Sequence, residues 1–243
     1  AACYGNTEEM IGNTVAHRRD EYVLATKCGH VVGGFDGFDW SGETIVYSIE
    51  RSLKRLKTDY LDLIQLHSCS INILEQGDVI EQLVSARDSG KTRFIGYSGD
   101  NDAANWAVNS GIFDTLQTSF NIVDQNARNG LLSSAKNKAM GTIIKRPLAN
   151  GVWGKDESPN SYANEYMRRA NIINKMGKLP YEYRNPTELA LSFVLAESEV
   201  DTAIVGTHNP SHIISNVAML DRGLQVSIDN NEELHRRFNG ISS

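Results

Sequence analysis

The chain has 243 residues, 40% of them apolar and 22% charged, and a formal net charge of −6. This is a globular composition with room for a sizeable core, and an acidic balance without a long Lys/Arg stripe argues against nucleic acid as a partner. No apolar run approaches the ~18 residues of a membrane span, the opening residues do not read as a leader, and three cysteines are too few for a disulfide scaffold; a cytoplasmic protein with free thiols is expected.

In chain order, a small-residue loop comes first, Ala1-Ala2-Cys3-Tyr4-Gly5. A phenol followed by glycine and an Asn6-Thr7 cap places the Tyr4 hydroxyl on a turn just before a helix N-terminus. Residues 8–19 carry Met10, Ile11 and Val15 and end in basic residues that suit a helix dipole. Residues 22–27 are nearly continuous in apolar character, as in a strand buried on both faces, and end at Lys27. A loop rich in glycine and aromatics, 28–42, precedes a helix over 43–57 with Ile45, Ile49, Leu53 and Leu56 in register.

A second buried strand, 60–67, ends at His67. A helix over 78–89 stops at Gly90, and the strand 92–98 ends at Ser98. There follow a helix at 102–109, a strand at 115–120, a helix at 131–138 and a strand at 142–146 closed by Pro147. A polar insertion from 148 to about 184 holds a candidate helix, 165–176, and Pro186 opens another over 187–196. A last strand, 202–205, precedes helices at 211–220 and 230–238. Six buried strands alternating with helices predict a parallel sheet with right-handed crossovers, which an open doubly wound sheet and a (β/α)8 barrel both satisfy. No G-x-G-x-x-G turn follows a strand, which weakens the open dinucleotide-binding sheet. In a barrel the strand-end residues would converge on the catalytic face.

Lys27 and His67 both end apolar strands. A strand-end lysine can snorkel to water and a histidine there can be a hydrogen-bonded core residue, but together they make a candidate pair of polar groups at one mouth. Cys3, Cys28 and Cys69 flank Tyr4, Lys27 and His67, yet no metal-ligand spacing such as C-x-x-C is present and no metal is expected. Phe35, Phe38, Trp40 and Trp153, all on long loops, are candidate substrate walls or loop packing.

The segments Ala1-Ala2-Cys3-Tyr4-Gly5, Ala25-Thr26-Lys27, Gln65-Leu66-His67 and Ile95-Gly96-Tyr97-Ser98 recur in this order in aldo-keto reductases. Gln117-Thr118-Ser119-Phe120-Asn121, Arg146-Pro147-Leu148-Ala149-Asn150-Gly151 and Val205-Gly206-Thr207-His208-Asn209-Pro210 leading to Asn216 extend the match along the chain. The sequence resembles that family throughout. The resemblance implies a single (β/α)8 TIM-barrel domain over 1–243 that reduces aldehydes or ketones to alcohols with NAD(P)H, with no metal, acting on a small-molecule carbonyl substrate. The alternative on the same fold is a weak or inactive nucleotide-binding regulatory protein.

The implied catalytic residues are Tyr4 as proton donor, Lys27 as the cation that favours its phenolate, and His67 orienting the carbonyl oxygen. The resemblance puts Ser98 and Gln117 on the nicotinamide carboxamide and Phe120 against the ring. It puts the backbone around Leu148 and Gly151 at the pyrophosphate, counts Arg146 among the cofactor-binding residues, and puts Gly206, Thr207, His212 and Asn216 at the adenosine end. Gly99 stands where the family often has asparagine after the serine, with Asp100 or Asn101 as replacements. NADP(H) is slightly preferred to NAD(H), although Gly206 and His212 occupy places where 2′-phosphate binders carry basic residues. The family also has an Asp-Thr-Ala sequence whose aspartate falls two residues before Ala1. On this reading the first strand, first helix and most of the second strand, roughly 45 residues of a ~250-residue barrel, are absent.

Overall fold

A computed structural model describes residues 2–31 and 33–241; Ala1 of the opening motif lies outside the described residues. The chain falls into two compact units, residues 1–117 with 137–141 and residues 118–136 with 142–243.

In the first unit the strands are β1 (Ala25–Cys28), β2 (Leu61–His67) and β3 (Thr92–Ser98), followed by the start of β4 (Thr115–Ser119). β1 pairs with β2, β2 with β3 and β3 with β4, all parallel. The helices are α1 (Thr7–Thr14), α2 (Gly42–Leu56), α3 (Ile71–Gln76), α4 (Asp78–Asp88) and α5 (Asn101–Ser110). The expected register of α2 is observed: Ile45, Ile49, Leu53 and Leu56 are buried. So are Leu61, Ile64 and Leu66 of β2 and Ile95 of β3. Each such side chain contributes about 1.5–3 kcal/mol of transfer free energy on burial.

In the first unit the sequence reading differs as follows. The helix expected over 8–19 ends at Thr14 and gives way to a 3-10 segment, Ala16–Glu21, with Arg18 non-helical at φ −116°. Here the Arg19 guanidinium is drawn to Asp62 at 2.8 Å and to the Tyr60 carbonyl at 3.2 Å, and no α-helix is continued. Helix α3 was not expected; it fills the short stretch after β2 and buries Leu74. β1 begins at Ala25 rather than at 22, after the Leu24 N–H is taken by the Asp62 carboxylate at 2.8 Å.

The second unit holds β5 (Gly141–Lys145) from Thr142 on, paired in parallel with the two-residue β6 (Thr202–Ala203). Its helices are α6 (Leu131–Asn137), α7 (Asn164–Lys175), α8 (Pro186–Leu195), α9 (Pro210–Asp221) and α10 (Ile228–Asn239). Pro186 sits at the first helical position with Asn185 accepting from the Glu188 N–H, so α8 starts where proline signals it. Phe120, Phe193, Ile173, Leu234 and Phe238 form its core. α9 buries Met219 while Ile213, Ile214, Val217 and Leu220 remain exposed.

Candidate active site

The first unit brings four of the sequence-derived site residues to the C-terminal ends of neighbouring parallel strands. Lys27, one residue before the end of β1, pairs with Gln65, and His67, Ser98 and Gln117 stand in one register row across β2, β3 and β4. Because side chains alternate along a strand, Lys27, Gln65, His67, Ser98 and Gln117 share one face of the sheet, with Lys27 and Gln65 one level below the row. Lys27 and His67 are half-buried, and Ser98 and Gln117 are buried.

Tyr4 ends the 3-10 turn Ala2–Tyr4 and is 55% exposed. Gly5 follows with φ +63°, a backbone conformation that glycine adopts without strain. The expected side-chain cap at Thr7 takes a different form: Asn6 occupies the N-cap position without a side-chain bond, and Thr7 Oγ1 donates to the Tyr4 carbonyl at 2.8 Å. Arg55 Nη2 holds the Gly5 carbonyl at 2.8 Å. The turn so fixed sets the Tyr4 ring against the His67 imidazole, centroids 6.1 Å apart and planes at 42°. Cys3 Sγ lies 3.4 Å from His67 Nδ1.

A second histidine, which the sequence reading did not single out, completes this side of the site. His30 meets the His67 ring edge-on at 5.2 Å and Trp40 at 4.6 Å. Its Nδ1 lies 3.3 Å from Asp39 Oδ2, while Asp39 Oδ1 accepts from the Val31 N–H. That backbone N–H, and secondarily the His30 imidazole, hold the Asp39 carboxyl below its ordinary range. Trp40 occupies the space over Gly29, where a Cβ would meet its ring at 1.7 Å. The signal for His30 was its position three residues after Lys27, but the pairing with Asp39 across a glycine-rich loop has no sequence periodicity to reveal it. Phe38 is exposed and Phe35 stacks on Tyr47 at 4.4 Å, so of the loop aromatics in this unit Trp40 is the one that touches the His30 and His67 cluster.

The cysteines differ sharply. Cys3 is exposed, whereas Cys28 and Cys69 are buried. Burial pushes the Cys69 thiol up to about 12 and raises the Cys28 thiol as well. Among the described residues no group of three or more His, Cys, Asp or Glu could hold a metal ion.

In the second unit, Arg146 follows β5 at φ +59°, and Ala149, Asn150 and Gly151 have φ +50°, +54° and +79°. Such a run of left-handed backbone is costly for non-glycine residues; the N–H groups of Ala149, Gly151 and Val152 are taken within the turn by the carbonyls of Arg146, Leu148 and Ala149. Arg146 Nη1 donates to Ser119 Oγ at 2.9 Å, and its guanidinium bonds Tyr162 and lies over that ring, 5.1 Å from the centroid. Trp153 is buried rather than forming an open wall. Thr207 Oγ1 and His212 Nδ1 are 3.0 Å apart, and Asn209 caps α9 by accepting from the Ser211 N–H. Gly206 and His212 are exposed and Asn216 is half-buried on α9.

Phe120 departs from its expected role. It is fully buried and stacked on Phe193 at 5.4 Å, so neither face of its ring is open to a cofactor. The physical reason is that β4 ends at Ser119 and the chain turns Phe120 into the core of this unit.

Residues 1–235 match the aldo/keto reductase family. The chain belongs to that family. It is 30% identical over 238 residues to the L-galactose dehydrogenase of Arabidopsis thaliana, covering 93% of this chain and 74% of that protein. It is 28% identical to the NADH-specific methylglyoxal reductase of Escherichia coli, covering 91% of this chain and 76% of that one. The holo form of an aldo-keto reductase from Bacillus halodurans superposes with a TM-score of 0.80 at 23% identity, covering 95% of this chain and 77% of that one. This aldo-keto reductase thus has the (β/α)8 barrel fold of its family, of which the described residues supply six parallel strands. It is an oxidoreductase of a family that uses nicotinamide cofactors on small carbonyl compounds. Among the described residues no helix is long and apolar enough to cross a membrane.

Proposed function

We propose that this aldo-keto reductase reduces an aldehyde or ketone to an alcohol with Tyr4 as the proton donor. The observation that carries the reading is the meeting of Tyr4 and His67, rings 6.1 Å apart, at the mouth to which Lys27, Ser98 and Gln117 are brought near the C-terminal ends of their strands.

The donor set of the first unit suits a nicotinamide: the hydroxyl of Ser98 and the carboxamide of Gln117 are register partners, buried, and complementary to the donors and acceptors of another carboxamide. When bound, the dihydronicotinamide supplies the hydride for the carbonyl carbon. Tyr4 then gives its phenolic proton to the carbonyl oxygen as negative charge develops there. A free phenol titrates near pH ~10; Lys27, on the same mouth, favours the phenolate and brings the acid towards working range. His67 orients the carbonyl oxygen and stabilises its charge. Exposure of Tyr4 lets water return the proton after each turnover.

For the remainder of the cofactor we assign Arg146, Leu148 and Gly151 to the pyrophosphate and Gly206, Thr207, His212 and Asn216 to the adenosine end. The guanidinium of Arg146 and the N-terminus of α9 support this, since both favour phosphate. We keep NADPH ahead of NADH, with the Thr207 and His212 pair in the first turn of α9 assigned to the ribose. Phe120 is left out of the set because its ring is closed off. Three free cysteines support a reducing, cytoplasmic location, which cell fractionation tests.

Loss of NADPH absorbance in the presence of a panel of small aldehydes tests the reaction, with NADH in parallel. Turnover with at least one aldehyde is expected; nucleotide binding without turnover across the panel would overturn the enzyme reading in favour of a nucleotide-binding regulatory protein.

A further inference from the structure

Glu8 stands one turn after the Tyr4 loop on α1, and only 3% of it is exposed. A carboxylate is rarely buried to that degree without dedicated partners. Its Oε1 accepts two hydroxyl hydrogen bonds, from Thr26 Oγ1 of β1 and from Ser52 Oγ of α2, both at 2.8 Å. Arg55 of α2 lies with Nε 3.9 Å from Glu8 Oε2, and the same guanidinium holds the carbonyl of Gly5. One carboxylate therefore ties together the helix that follows Tyr4, the strand that carries Lys27, and the helix packed behind both.

The location of Thr26 gives this tie its consequence. Thr26 and Lys27 are neighbours on β1, so their side chains leave opposite faces of the strand. Lys27 faces the mouth and Thr26 faces α1 and α2, where Glu8 takes its hydroxyl. The backbones of α1 and α2 also approach closely: a Cβ on Gly12 would come within 2.2 Å of the Arg55 carbonyl oxygen. With α1 seated on α2 by Gly12 and Thr26 of β1 bonded to Glu8, this buried polar junction links the Tyr4 turn to β1. Proton transfer and the tuning of a phenol by an ammonium both depend steeply on separation, and a displacement of about 1 Å can cost about 100-fold in rate.

We propose that Glu8, through Thr26 and Ser52, is a positioning residue that fixes the separation of Tyr4 and Lys27. The inference rests on the assignment of Tyr4 as proton donor. Its test is steady-state reduction by the Glu8→Gln and Thr26→Val variants, with Thr26→Ser as the conservative partner that keeps the hydroxyl. The expected result is a fall in kcat of about 10-fold or more in Glu8→Gln and Thr26→Val, with KM for the carbonyl and nucleotide affinity by fluorescence within about 2-fold of the parent. The alkaline limb of kcat should move to higher pH as Lys27 draws away from the phenol, because loss of a nearby cation raises a phenol's pKa. Thr26→Ser should restore both. Variants that keep kcat and the limb in place, or that lose activity only in proportion to lost folded protein with the limb unmoved, would overturn the proposal.

A second measurement separates this outcome from failure of the reading itself. The ultraviolet titration of Tyr4, taken as the difference between the protein and its Tyr4→Phe variant, needs no turnover. Introducing Glu8→Gln should move that titration upward. An unmoved titration would refute the positioning role even if the protein reduced no carbonyl at all.

Discussion

Tyr4 and His67, sixty-three residues apart in sequence, bring their rings to 6.1 Å in the first unit. One comes from a 3-10 turn pinned by Thr7 and Arg55, the other from the last residue of a buried strand. On the proposed mechanism the phenol donates the proton and the imidazole orients the carbonyl oxygen.

Replacing Tyr4 by Phe keeps the ring and removes the proton. Turnover should fall by about 100- to 10,000-fold, while nucleotide affinity, measured by quenching of protein fluorescence, should stay within about 2-fold. Unchanged rates would remove Tyr4 from the mechanism.

Gln117 is buried beside Ser98 and is assigned to the nicotinamide carboxamide. Gln117→Leu keeps the approximate volume and discards the polar contacts, so it should weaken nucleotide binding by about 1–2 kcal/mol, or roughly 5- to 30-fold in Kd. Isothermal titration with NADPH reads this directly, and unaltered affinity would place the carboxamide elsewhere.

Cys3 lies 3.4 Å from His67 Nδ1 and is exposed, whereas Cys28 and Cys69 are buried with raised thiols. Iodoacetamide at mildly alkaline pH should therefore alkylate Cys3 alone, as read by peptide mass spectrometry, since the thiolate is the reactive form. The added group should cut carbonyl reduction by crowding His67. Labelling of Cys28 or Cys69 in the folded protein would contradict their burial.

Asp62 concerns stability rather than turnover. Burial alone would raise its carboxyl, but the Leu24 N–H, the Arg19 guanidinium and then Arg93 outweigh this and hold it below its ordinary value. A carboxyl depressed in the folded state stabilises fully above its unfolded pKa, about 3.9, and that contribution is lost as pH falls through the lower folded value. Asp62→Asn should cost about 3 kcal/mol at pH 7 by leaving Arg19 without its buried counter-charge. Urea unfolding at pH 7 and below pH 3 should show the gap between parent and variant closing in acid.

Much of this site was legible along the chain because local rules govern the parts involved. Lys27, His67 and Ser98 end or nearly end strands whose continuous apolar character is visible in any sequence window, and parallel strands deliver such residues to one edge. The positions of α2 and α8 followed from the apolar register of the one and the opening proline of the other. Phe120 is different: apolar residues just past a strand look alike whether they turn outward or into a core, and its stacking on Phe193 sets it in the core.

By itself, then, the sequence determined the alternation of strands and helices, the residues at the strand ends and, through its motifs, the family. Those properties depend on neighbours in the chain, on hydrophobic period and on turn chemistry. Tertiary structure alone decided that Arg55 holds the Tyr4 turn, that His30 and Asp39 join His67, and that Glu8 grips both Thr26 and Ser52. These are polar contacts between residues far apart in sequence. Their energy depends on distances of a few ångströms and on exclusion of water, and neither quantity has a counterpart in residue spacing.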